Sequence, residues 1–177
     1  MLEALVTEPF EPLELSSLIA LSWKTALLLA LTSAKRVSEL TALSVHPSCL
    51  VIWGDQSGAT LRPNPSFVPK SLKSAFRSRA SQLGGFNLPP PSGSREAKLH
   101  LLCPGPALAC YVELTATLRH TRQLFVCFGG GVTGKALSKK RLAGWHCDTD
   151  RRGEPSPRGS VHTLHGLWLC QQPYLTA

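Results

Sequence analysis

Three constellations in this 177-residue chain have residue types and spacings that could do chemistry. The first is Gly129-Gly130-Gly131-Val132-Thr133-Gly134-Lys135, which follows a β-prone run and fits G-x-x-x-x-G-K. Such a loop holds phosphate when bare backbone N–H groups converge at a helix N-terminus. Here Ala136 stands where that loop needs a Ser or Thr hydroxyl on Mg²⁺, and no later apolar strand ends in an Asp to complete the metal site. A glycine turn between strand and helix is the plainer reading. The second constellation is His146-Cys147 with His162-x-x-His165. Paired zinc ligands usually leave ~2–4 residues between them, so adjacent His and Cys chelate one ion poorly, and solvent-facing histidines are the better expectation. The third is Arg36 with Glu39, three residues apart at a helix start, which spacing alone makes a surface salt bridge.

These residues need elements to position them. Residues 1–14 are acidic and carry Pro9 and Pro12, which describes a lead-in rather than a packed element. Leu15 to Leu31 is apolar nearly all round, with Ser16 and Ser17 as caps, and predicts a helix buried on most faces. Thr32 and Ser33 interrupt it, and a helical pattern resumes from Arg36 to Leu43, with Val37, Leu40 and Leu43 on one side. Two β-prone runs, Cys49 to Trp53 and Ala59 to Leu61, flank a Gly-rich turn and predict a hairpin. Residues 71–82 suit a basic helix, and Gly84 to Gly93, with three consecutive prolines, is loop. Ala107 to Leu118 predicts another helix, Leu124 to Phe128 a short buried strand, and residues 136–147 a helix with a basic face. From Asp148 a polar linker begins, followed by a tail without clear period. The expected fold class is α+β, mainly α, with residues 1–14 as lead-in, 15–147 as the domain, and 148–177 as linker and tail.

Composition narrows the class of function. Lys and Arg number 19 against 11 Asp and Glu, a net charge of +8, yet only 17% of residues are charged. Acids are scarce rather than bases abundant, a balance that favours a polyanionic partner. With 43% hydrophobic residues the chain can fill a core, and its length suits one domain of ~100–200 residues. Six scattered cysteines form no C-x-x-C pair, and Glu3, Glu8, Glu11 and Glu14 stand where a secretory leader needs positive charge. Reduced thiols in the nucleus or cytosol are expected. Leu18 to Leu31, broken by Lys24, is shorter than the ~20 apolar residues of a membrane span, so no membrane partner is expected.

The string Leu29-Ala30-Leu31-Thr32-Ser33-Ala34-Lys35-Arg36-Val37-Ser38-Glu39-Leu40 resembles the first catalytic-arginine motif of tyrosine recombinases, the phage-integrase superfamily, and in particular the recombinase domains of DIRS-type retrotransposons. Further strings follow in the family's order: Pro9-Phe10-Glu11-Pro12-Leu13, Pro65-Ser66-Phe67-Val68-Pro69-Lys70, and Leu124-Phe125-Val126 followed by Lys135-Ala136-Leu137-Ser138-Lys139. The resemblance covers about residues 5 to 150. It implies an integrase-like DNA breaking-rejoining core, a nuclear location, double-stranded DNA as partner, and action as a homo-oligomer on DNA.

The chemistry the resemblance implies is recombination and integration through a phosphotyrosine link, with neither metal nor nucleotide as cofactor. Arginine forks hold the non-bridging oxygens, a lysine protonates the leaving oxygen, and a histidine assists. Carried over by motif, Arg36 is the first arginine and Glu39 its orienting partner. The hairpin turn has no lysine, so Lys70 becomes the general-acid candidate and Lys73 the second. Where the family has His-x-x-Arg-Gly, this chain has His162-Thr163-Leu164-His165-Gly166, which puts His165 in the place of the second arginine. The nucleophile is expected roughly thirty residues later. Tyr111 falls in a core helix and Tyr174 near the end, so the resemblance implies a domain cut short at its C-terminus and catalytically impaired, and without the family's N-terminal clamp. The expected DNA-contacting residues are Lys73, Arg77, Arg79, Lys135, Lys139, Lys140 and Arg141. Arg36 is expected within about 10 Å of His162, because phosphate transfer needs these groups on one phosphate.

Overall fold

Helix α1 (Leu18–Ser33) is the axis of this computed structural model, and three other helices lie against it. The structure describes residues 2–54, 58–68, 81–83 and 93–152, with the backbone alone for residues 81–83 and 146–152. Ser17 caps α1, its hydroxyl oxygen accepting from the Ala20 N–H at 3.2 Å. Ala34, at φ 50°, ends the helix in the left-handed region. Thr32 and Ser33 belong to the last turn rather than interrupting it, and their hydroxyls donate back to the Leu28 and Leu29 carbonyls. An α1 apolar on every side needs cover on every side. It packs against α2 (Val37–Leu40), α4 (Pro104–Thr115), α5 (Lys139–Arg152) and strand β3 (Ser81–Leu83).

The hairpin forms as its pattern implies: β1 (Leu50–Ile52) pairs antiparallel with β2 (Ala59–Leu61), Leu50 opposite Leu61. A third strand, β3, adds to the far edge of β2, giving the order β1-β2-β3. Ser81 and Gln82 are therefore strand, not the end of a basic helix; residues 69–80 lie outside the described residues. Helix α3 (Ser94–His100) precedes α4, which Pro104 opens in the first turn, where a missing N–H costs nothing. One core joins Leu21, Leu29, Leu40, Leu43, Leu61, Leu108, Tyr111, Phe125 and Leu142. Fully burying each such side chain contributes about 1.5–3 kcal/mol. The architecture is α+β and mainly helical. Among the described residues no single helix is long and apolar enough to cross a membrane; one bent pair, Ser94–His100 with Pro104–Leu118, passes on length and composition together.

Further expectations change. Residues 2–15 are packed: the 3-10 helix Leu2–Val6 buries Leu5 and the turn after it buries Phe10, both in a cluster with Ala20, Leu27, Leu28 and Ala107, before a second 3-10 helix, Leu13–Leu15. Lys24, wholly buried in α1, fixes this segment by donating to the Leu5 carbonyl at 2.9 Å and to the Glu11 carboxylate. Leu124–Cys127 is buried but bends at Leu124 and Phe125 and forms no ladder; it makes the single antiparallel bridge Val126–Ala136, beside Ser44–Gln123. That bridge holds residues 136 and 137 extended, with the Leu137 N–H donating to the Phe125 carbonyl, so α5 opens only at Lys139. It then continues to Arg152, through the start of the stretch expected to be linker.

Candidate functional site

Arg36 is the N-cap residue of α2, with extended backbone at φ −70° and ψ 153°. The Glu39 carboxylate accepts from the backbone N–H of Arg36 at 2.9 Å, and the Glu39 N–H donates to the Arg36 carbonyl. Glu39 therefore orients Arg36 through its main chain, and the expected guanidinium pair is not formed. The side chain of Arg36 is exposed and has no ion pair among the described residues. Helix α2 packs against both α1 and α5, which puts Arg36 and the basic opening of α5 on neighbouring elements.

That opening carries Lys139, Lys140 and Arg141, all exposed. Ser138 stands before the helix, and its hydroxyl oxygen accepts from the Arg141 N–H at 3.3 Å. Three cations in a first turn oppose the helix dipole, each by about 0.3–1 kcal/mol when exposed. A helix chosen for stability alone would carry acids there.

The glycine string is a tight reversal between two extended segments. Gly129, Gly130 and Gly134 have φ of 96°, 55° and 77°. The Gly134 N–H donates to the Cys127 carbonyl, the Cys127 N–H to the Lys135 carbonyl, and the His120 N–H to the Gly134 carbonyl. The Gly129 N–H donates to the Thr133 hydroxyl, and the Thr133 and Lys135 N–H groups close on Gly130 and Val132. The N–H groups of Gly129, Thr133, Gly134 and Lys135 are thus bonded within the turn rather than presented to a phosphate, and no helix opens at the Gly-Lys pair. Lys135 is exposed at its end.

Tyr111 is wholly buried, and its phenol oxygen accepts from the Val126 N–H at 3.2 Å. Arg119 lies over its ring, 5.4 Å from guanidinium carbon to centroid, and donates to the Gln123 and Leu124 carbonyls. This arginine, which sequence reading passed over, ties α4 to the Gln123–Val126 segment. Burial pushes the Tyr111 phenol above its ordinary value of 10.0. The unfolded chain then loses its proton first, so stability falls as pH rises past 10.0. Tyr111→Phe leaves the Val126 N–H buried without an acceptor and is expected to cost about 1–2 kcal/mol in urea unfolding, while removing the alkaline decline. A phenol so placed is a structural group, without access to a phosphodiester.

Lys70, Lys73, Arg77, Arg79, His162, His165 and Tyr174 lie outside the described residues, so the expected proximity of Arg36 to His162 does too. Among the described residues no group of three or more His, Cys, Asp or Glu is placed to hold a metal ion. No protein family, curated protein or solved structure matches this chain.

Proposed function

We propose that this chain is a DNA-binding domain of the tyrosine-recombinase type, derived from a mobile element, which holds duplex DNA through its phosphates. The observation that carries the reading is that Arg36, exposed at the head of α2, and Lys139, Lys140 and Arg141, exposed at the head of α5, stand on two helices in contact with one another. Planar, permanently charged guanidinium forks and flexible ammonium groups are what phosphate oxygens need. Support also comes from the recombinase-like string around Arg36 and from the net charge of +8. The ancestral role in this reading is DNA recombination and integration in the nucleus, with strand cleavage impaired because His165 stands where the second arginine is expected. A neutral imidazole offers one donor where a guanidinium offers five.

The test is titration of a labelled duplex with the folded chain across a salt series. Affinity is expected to fall linearly on a log–log plot, with a slope of about −0.9 per phosphate contacted and little dependence on sequence. A folded chain that ignores duplex DNA at low salt makes this a basic interaction module for some other partner.

A further inference from the structure

A depression of about 180 Å³ opens where α1, the Cys127–Phe128 corner and α5 meet. Three of its walls are aromatic, Trp23 from α1, Phe128, and Trp145 from α5, each half-buried. Its rim is Arg141, whose guanidinium donates to the Cys127 sulfur at 3.4 Å. Sulfur is a weak acceptor, and the other guanidinium N–H groups find no acceptor among the described residues. A dry apolar cavity of ~150 Å³ takes a benzene ring, so this volume suits one planar ring. Its rim residue belongs to the same basic helix opening as Lys139 and Lys140.

We propose that this depression receives a single unpaired nucleobase of a DNA strand whose phosphates lie along the head of α5. The inference rests on the DNA-binding reading and adds to it a preference for DNA in which one base is out of the stack. Aromatic walls recognise the face of any base without reading its edge, and an arginine at the rim engages the attached phosphate. Charge selects the occupant. An apolar peptide side chain would match the walls but would leave Arg141, Lys140 and Lys139 without a counter-charge.

The experiment uses the full chain and three probes: a perfect duplex, the same duplex with one bulged thymine, and that bulge made abasic. The bulged thymine is expected to bind about ten-fold more tightly than the perfect duplex and to quench tryptophan fluorescence. The abasic bulge, equally bendable, is expected to lose both effects, and Trp145→Leu to abolish the ten-fold preference. Equal affinity for the thymine and abasic bulges overturns the pocket and leaves duplex binding standing. Binding of the thymine bulge without any binding of the perfect duplex upholds the pocket and overturns the duplex reading. Binding of none of the three overturns both.

Discussion

Glu11→Ala is expected to destabilise the protein by about 3–5 kcal/mol near neutral pH, far more than an exposed ion pair would. Its partner Lys24 is wholly buried, and the Leu5 carbonyl alone is a poor counterweight to an ammonium out of water. The deficit has a pH signature. Burial holds the Lys24 ammonium below its ordinary 10.5, against the opposing hydrogen bond and charge of Glu11. Between the lowered value and 10.5 the unfolded chain keeps a proton that the folded chain has released, so stability rises with pH in that window. Losing Glu11 widens the window, and the variant is expected to recover part of its deficit as pH rises toward 10.5. Adding Lys24→Met, which fills the same space without charge, is expected to bring the protein within about 1 kcal/mol of wild type. Urea unfolding across pH measures all three. A loss below about 1 kcal/mol for Glu11→Ala alone contradicts the buried clamp.

Gly134→Ala is expected to cost about 3 kcal/mol or more. Its φ of 77° strains any L side chain, and a Cβ there would meet the Leu118 carbonyl oxygen at 1.8 Å and His120 Cδ2 at 2.8 Å. The obstacle is backbone, and Gly134 bonds on both sides, to Cys127 and to His120, so little can shift. Gly130→Ala is the control. At φ 55° with nothing near its Cβ, it pays only the left-handed conformation, about 1 kcal/mol. Equal losses at the two positions would mean that the reversal is looser than its hydrogen bonds imply. The larger effect at Gly134 would give the glycine of the Gly-Lys pair a steric reason of its own.

What the sequence made legible follows from how local each cause is. Helix α1 was visible in its apolar run because Ser17, two residues from the predicted start, is its actual cap. The hairpin was visible because two β-prone runs flank a glycine turn. Strand β3 was not, since Ser81-Gln82-Leu83 becomes strand only by pairing with β2. The N-terminal segment looked unstructured because the partners of Leu5 and Phe10 lie on α1 and α4. The start of α5 was placed three residues early because the Val126–Ala136 bridge overrides helical preference at 136–138. At the site, spacing located Arg36 and Glu39 at a helix start but not which atom of Arg36 the carboxylate would engage. The aromatic depression left no mark in the chain, since Trp23 and Trp145 come to line it only through the packing of α5 on α1.

The central claim is that the head of α5 holds DNA phosphate. The direct measurement compares the salt dependence of duplex binding for wild type and for the Lys139→Ala, Lys140→Ala, Arg141→Ala triple variant. The account predicts a slope flatter by about 2.7, or roughly 40-fold less affinity lost between 50 and 200 mM salt, with the fold intact by circular dichroism. A folded triple variant whose slope and affinity match wild type would contradict it.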